Sequence, residues 1–223
     1  MSYFIFNDIS SENFNNLIVE NLPPITSPPQ KFEILEVDGS SKVIINELGY
    51  KTYDKPISLG FSNHDTREIE SWLKGKGRLT LSNELDKYYN AFVLEQIDYN
   101  QVLRFKKATV TFLVEPYKYA TGEEETTSRS LINQGNEECL PLMTIYGSGK
   151  VNVFVNGIKQ CEITIDGYVT LDGEEEEAYK DSLDNRRNRV MIGKFPVFQP
   201  GENALTFTGN VTNVKTLVRS RWL

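Results

Sequence analysis

Apolar residues in this chain fall mostly at every second position, in short runs separated by turn-forming residues, and that period predicts strands. The first half opens with a strand over Tyr3–Phe6 and a second over Asn13–Glu20, centred on Leu17, Ile18 and Val19. Between Leu22 and Pro29, four prolines in seven residues exclude helix and remove ladder donors, so a stiff extended arm is expected. Phe32–Val37 and Lys42–Asn46 flank Asp38-Gly39-Ser40-Ser41 and read as a hairpin. Strands follow at Ile57–Phe61, Arg78–Ser82, Tyr88–Glu95, Tyr99–Lys106 and Ala108–Val114. One helix is predicted, over Thr66–Lys74. Asp65 is its N-cap, Glu68 completes a capping box, Ile69, Trp72 and Leu73 form an apolar stripe, and Gly75 and Gly77 end it.

The polar, acidic stretch Ala120–Arg129 interrupts this pattern and is the expected domain boundary. It divides the chain into an N-terminal domain over residues 1–122 and a C-terminal domain over 123–223. The second half reads as strands at Leu142–Tyr146, Val151–Val155, Cys161–Ile165, Tyr168–Asp172, Val190–Gly193, Leu205–Thr208 and Lys215–Arg221. Gly147-Ser148-Gly149 and Asn156-Gly157 are expected as turns between them. The fold class expected is therefore all-β with one short helix, its second half a β-sandwich or jelly roll. Glu115-Pro116 and Lys194-Phe195-Pro196 read as sheet edges shaped for assembly.

At 223 residues the chain is long enough for one large domain or two of about 100 residues each, and at 39% hydrophobic and 11% aromatic it has enough apolar material for a packed core. A net charge of −7 with scattered Lys and Arg argues against a nucleic-acid binder. The one basic cluster, Arg186-Arg187-Asn188-Arg189, lies a few residues from an acidic run. Cys139 and Cys161 provide no disulfide framework and are expected as half-buried thiols in a reducing compartment. No apolar run is long enough to span a bilayer, and the N-terminus lacks the pattern of a secretory signal.

Candidate chemistry is sparse. His64, the sole histidine, precedes the helix cap and is expected in a turn; one histidine excludes most zinc and triad constellations. Carboxylates crowd only between Asp166 and Glu177. They suggest a Ca²⁺ loop or an acid/base pair such as Asp172 with Glu174, against the simpler reading of two solvated turns around a strand. Tyr146, Phe154, Tyr168, Tyr179, Phe195 and Phe198 would suit sugar stacking if two or three stood exposed together; strand spacing makes most of them core. Trp72 is read as core rather than a ligand platform. The proline arm would suit an SH3-like partner, with a structural loop the simpler reading.

A set of short matches runs in order along the whole chain. They are Phe6-Asn7-Asp8-Ile9-Ser10-Ser11-Glu12, Ile69-Glu70-Ser71-Trp72-Leu73-Lys74-Gly75 with Gly77-Arg78-Leu79 and Leu81-Ser82, Tyr88-Tyr89-Asn90-Ala91, and Val110-Thr111-Phe112 with Glu115-Pro116-Tyr117-Lys118-Tyr119. The second half adds Asn133-Gln134-Gly135-Asn136 before Pro141, Ile145-Tyr146-Gly147-Ser148-Gly149, Ile165-Asp166, Gly193-Lys194-Phe195-Pro196 and Pro200-Gly201-Glu202-Asn203. In these the chain resembles the distal tail protein (Dit) family of siphophages infecting Gram-positive bacteria. The resemblance implies an N-terminal ring-forming domain, a β-sandwich or barrel, followed by a C-terminal galectin-like β-sandwich. It implies a homo-hexameric ring between the tail-tube protein and the tail-tip (tail-associated) protein, with receptor-binding proteins as further neighbours and DNA passing through its channel. It implies a structural virion protein at the distal end of the tail, made in the host cytoplasm, with no catalytic, cofactor-binding or metal residues. Some family members carry carbohydrate-binding insertions; this chain shows no obvious insertion.

Two other readings stand beside this hub reading. One is a carbohydrate-binding module for host cell-wall polysaccharide. The other is a hydrolase using carboxylates such as Asp172 and Glu174. Under the hub reading, the proline arm at Pro23–Pro29 and the strand Tyr3–Phe6 are the expected cross-subunit contacts.

Overall fold

The computed structural model describes residues 2–36, 38–39, 41–61, 67–94, 99–102 and 105–223. The chain is all-β with one short helix and divides into two compact units, one running to Thr121 and the other covering Gly122–Trp222.

In the first unit the strands are β1 (Phe4–Phe6), β2 (Ile9–Ser10), β3 (Leu17–Asn21), β4 (Gln30–Glu36), β5 (Val43–Tyr50), β6 (Tyr53–Phe61), β7 (Gly75–Leu81), β8 (Glu84–Val93), β9 (Tyr99–Val102) and β10 (Phe105–Ala120). Helix α1 (Arg67–Trp72) lies between β6 and β7. An antiparallel sheet takes the order β2-β1-β7-β8-β10-β6-β3, with β9 also paired to β10. Alternation fixes its inner face. Ile57, Leu59 and Phe61 of β6 and Val110, Phe112 and Val114 of β10 are all buried. The sheet curls around these side chains. Phe112 meets Phe4 at 5.8 Å and Phe6 at 5.2 Å, edge to face, although β10 and β1 are separated in the sheet by β7 and β8. Helix α1 contributes Ile69 and Trp72 to the same core.

Three expectations change here. The N-terminal strand is consumed within its own sheet, between β2 and β7, with Phe4 and Phe6 fully buried, so it offers no free partner edge. The expected strand Tyr99–Lys106 is divided between β9 and the start of β10, which pair antiparallel. Glu115-Pro116 lies inside the long strand β10, just past the end of its pairing with β6 at Val114 and within a register shift against β8. Val114 pairs with Ala91 and Lys118 with Tyr89, so β10 uses four residues where β8 uses two. The proline sits in that bulge, where its missing N–H costs no ladder bond. The cap residue Asp65 and His64 lie outside the described residues.

The second unit contains β11 (Ser130–Asn133), β12 (Leu142–Val155), β13 (Ile158–Asp172), β14 (Glu177–Lys180), β15 (Ser182–Arg186), β16 (Met191–Gly193), β17 (Gly201–Leu217) and β18 (Arg221–Trp222). The order is β11-β17-β12-β13-β14-β15, with β16 paired to β13. Asn156-Gly157, both at positive φ, join β12 to β13 as a two-residue turn, as their sequence predicts. Gly147-Ser148-Gly149 and Asp166-Gly167 are not turns. They lie inside the continuous strands β12 and β13, and Gly147 faces Gly167 across the ladder. A Cβ on Gly147 would come within 2.1 Å of the Asn210 carbonyl oxygen of β17, so only glycine admits this approach. The three long strands bend together along this band. Met143 and Ile145 on one side of it share one core with Val151 and Val153 on the other, as the two layers of a sandwich do.

The end of β13 is tied to the chain after β17 by a bidentate ion pair. Arg219 Nη1 and Nη2 donate to Asp172 Oδ1 at 2.6 Å and Oδ2 at 3.1 Å, and Asp172 Oδ1 also accepts from the backbone N–H of Glu174. Burial pushes the Asp172 carboxyl up, but the Arg219 bonds and charge, with the Glu175 and Glu174 amides, outweigh it and hold Asp172 below the usual carboxylate range.

Three outcomes test this packing. In a Trp222→Phe background, where Trp72 is the fluorescent reporter, Phe112→Ala lowers the stability of the first unit by about 3–5 kcal/mol in chemical denaturation. Arg219→Met leaves Asp172 buried without its partner and destabilises the second unit by on the order of 3 kcal/mol, followed by Trp222 fluorescence. Because the Asp172 carboxyl is lowered in the fold, its stabilisation is complete above the unfolded value of about 3.9 and fades as pH falls below it. Asp172→Asn therefore flattens the acid limb of the stability curve.

Candidate assembly surface

Strands β4 and β5 form a two-stranded sheet of their own. The β-branched run Val43-Ile44-Ile45 and the positive φ of Gly39 favour this hairpin locally. Its register pairs Glu36 with Val43, Leu35 with Ile44, Ile34 with Ile45, Glu33 with Asn46 and Phe32 with Glu47. Residues opposite one another share a face, so Phe32, Ile34, Val43 and Ile45 gather on one side, and Leu35, Ile44 and Leu48 on the other. These seven side chains are between 44% and 60% exposed. Within the hairpin, Asn46 Nδ2 donates to Glu33 Oε2 at 3.2 Å. Its base contacts the body through Tyr50, edge-on to Tyr117 at 6.5 Å; the Lys51 N–H, which donates to the Pro29 carbonyl at 2.8 Å, closes the stem of the hairpin itself.

The proline arm leading into β4 is not free. Pro23 and Pro28 are buried, and Leu22 packs against the first core. Of the arm residues expected from sequence as a subunit contact, Pro23 and Pro28 dock on their own subunit while residues 24–27 and Pro29 stay exposed, and a larger exposed apolar surface follows in β4 and β5.

The remaining candidates resolve into structural roles. Trp72 stacks between Phe4 at 5.2 Å and Phe14 at 4.9 Å, and its Nε1–H donates to the Phe6 carbonyl at 2.8 Å. Asp172 is engaged by Arg219, and Glu174 lies 3.4 Å from the same guanidinium, so the pair expected for acid/base work is committed to a shared ion pair. Among the described residues, no three His, Cys, Asp or Glu side chains gather as a metal site. Cys139 and Cys161 are fully buried rather than half-buried. Burial pushes their thiols up to about 12 and about 11, which leaves them protonated and unreactive at neutral pH. In the basic cluster, Arg186 pairs with Glu177 at 3.4 Å.

Of the aromatic residues weighed for sugar stacking, Phe198 is core and Phe195 packs against it. Tyr146 and Tyr168 stand opposite one another on the outer face with ring centres 5.6 Å apart, both half-buried. The Tyr168 hydroxyl donates to Asp181, and Lys180 lies over the Tyr168 ring while donating to the Asp166 carbonyl, so the pair is closed by its own neighbours.

A buried polar cluster in the first unit went unread in the sequence. Lys55 is 1% exposed, its ammonium 4.9 Å from the centre of the Tyr89 ring and 5.3 Å from that of Tyr53. Tyr89 donates to Glu84 Oε2 at 2.8 Å, and Lys118 donates to Glu84 Oε1 at 2.9 Å. Lys55 shares the parity of Ile57, Leu59 and Phe61, and that parity was the available signal.

No protein-family model and no curated protein sequence matches the chain. Solved structures do. The fold is similar to that of SPP1 Dit (gp 19.1), described as a paradigm of hub adsorption apparatus in Gram-positive infecting phages, with a TM-score of 0.75 at 13% identity over 100% of both chains. It is also similar to chains of the phage P2 baseplate in its activated conformation, with Ca (TM-score 0.55) and with Sr (TM-score 0.53), each at 10% identity over 96% of both chains. The chain therefore has the fold of phage hub and baseplate proteins along essentially its whole length.

Proposed function

We propose that this protein is a structural distal tail, or baseplate hub, protein of a siphophage. Its N-terminal unit closes with further copies into a hexameric ring through which DNA passes, between the tail-tube protein above and the tail-tip protein below. The C-terminal unit is the outer, galectin-like sandwich. The role is mechanical and requires no reaction. Full-length likeness to a hub protein supports this reading, and the observation that carries it is the β4–β5 hairpin.

A two-stranded ribbon is marginal alone in water. One with seven large apolar side chains half in solvent is an aggregation hazard unless a partner covers it. Covering the remaining half of each side chain contributes on the order of 1 kcal/mol per residue. A hairpin projecting from one copy onto a different surface of the next makes a heterologous contact, the kind that closes into a ring by rotation. Charge at Glu33, Glu36 and Glu47 limits wrong pairings before the ring closes.

Native mass spectrometry and negative-stain imaging of the purified chain test the proposal, with six-copy rings expected. Replacing Ile34 by Glu and Ile45 by Lys puts complementary charges opposite one another and keeps the hairpin paired, but removes half of its larger apolar face. This double variant remains folded by circular dichroism and runs as a monomer. A wild-type chain that stays monomeric at high concentration, alone and with its tail neighbours, sinks the proposal.

A further inference from the structure

We infer that residues Leu22–Pro29 act as a strap that aims the hairpin, held to the body of their own subunit by three side-chain donors, Asn83, Lys55 and Tyr53. This rests on the reading that the hairpin docks on a second copy. A segment with prolines at 23, 24, 28 and 29 cannot donate a ladder hydrogen bond at those positions, so sheet pairing cannot fix it. Its carbonyls remain good acceptors, and the body supplies the donors. Asn83 Nδ2 donates to the Pro23 carbonyl at 3.2 Å, Lys55 Nζ to the Pro24 carbonyl at 3.1 Å, and the Tyr53 hydroxyl to the Thr26 carbonyl at 3.5 Å. Buried Pro23 and Pro28 fix the two ends.

The middle donor is the informative one. Lys55 occupies an inward position of β6, where an apolar side chain would pack at less cost. Burial pushes its amine down, the Glu84 charge opposes that, and Lys118 adds to it. The ammonium is held at a fixed point by the faces of Tyr53 and Tyr89, and Tyr89 is locked in turn by Glu84. A charge placed so deliberately serves its acceptor, the strap carbonyl. The consequence falls on the hairpin, whose contacts at its base are few. A hairpin free to swing would lose that freedom on docking, and a strapped one has already lost it.

The test separates aim from assembly. Spin labels at Ser41→Cys, near the hairpin tip, and Thr109→Cys, on the body, are placed in the monomeric Ile34→Glu, Ile45→Lys background. The native cysteines are buried and do not react. Pulsed electron-resonance spectroscopy gives a narrow distance distribution for the strapped chain and a broad one for Lys55→Met, which keeps the aliphatic stem but removes the donor. In the otherwise native chain, Lys55→Met raises the concentration for half-assembly by about tenfold or more. Should Lys55→Met fail to fold, Asn83→Ala with Tyr53→Phe removes the two flanking tethers and broadens the distribution likewise. A distribution as narrow in either variant as in the strapped chain overturns the strap. Because the distances are read on monomers, that result leaves the ring proposal standing, whereas loss of the ring proposal shows only in the assembly measurements.

Discussion

The contact of Phe112 with Phe4 and Phe6 closes the first sheet on itself, and much else in the first unit follows from that closure. An antiparallel sheet with one apolar face must bury it against something. Here the face is turned inward, with three aromatic rings meeting edge to face. Closure consumes the N-terminal strand. It also leaves no place in the core for β4 and β5, which connect two strands of the sheet without joining it. Their apolar residues are therefore surplus to the fold of one copy. Deleting the hairpin would take little from the buried core, and that is the physical distinction between a structural element and an assembly element.

The second unit solves the same burial problem differently. Its three long strands bend along a band of glycines and pack one half over the other. At Gly147 the bend depends on close approach, since a Cβ there would lie 2.1 Å from the Asn210 carbonyl oxygen, while Gly149 and Gly167 supply positive φ. At the end of β13, the acidic run that suggests chemistry in the sequence is taken up locally. Asp172 caps the following turn through the Glu174 N–H and binds Arg219 through both oxygens. A carboxylate committed to a guanidinium and to backbone amides, and lowered as a result, is poorly placed to act as a general acid.

The sequence made some features legible and hid others for physical reasons. Period-two burial in Ile57–Phe61 and Ala108–Val114, the apolar stripe of α1, the hairpin around Asp38-Gly39 and the turn at Asn156-Gly157 are local, and each was readable. The long strands were misread because glycine is ambiguous between turn and bend. Parity was the overlooked clue. Buried positions 143, 145, 151, 153 and 155 keep one parity through Gly147 and Gly149, which a turn would have reset. Pro116 was read as an edge because a proline in a central strand is unexpected; its bulge depends on the register against β8, which is not local. The sequence points to the proline arm as the assembly contact, and the structure places a larger exposed apolar surface a few residues further on. Rigidity marked the proline arm, but only the tertiary fold shows that the arm is tied down and the next segment is bare.

Lys55 shows how a buried charge and an exposed apolar hairpin belong to one problem. Each is unfavourable when viewed within a single copy: the ammonium loses its hydration, and the hairpin keeps apolar surface in water. The arm joins them. An ammonium fixed between two aromatic faces holds a carbonyl of a segment that cannot pair as a strand, and that segment leads directly into β4. Under the proposed ring, local cost in the monomer becomes preorganisation, because a rigid surface docks with less loss of entropy than a mobile one. The same fold appears in SPP1 Dit at only 13% identity. Closing a sheet and bending a strand demand parity and room for a few glycines, which many sequences satisfy, whereas the chemistry that aims a hairpin is free to differ from one chain to the next.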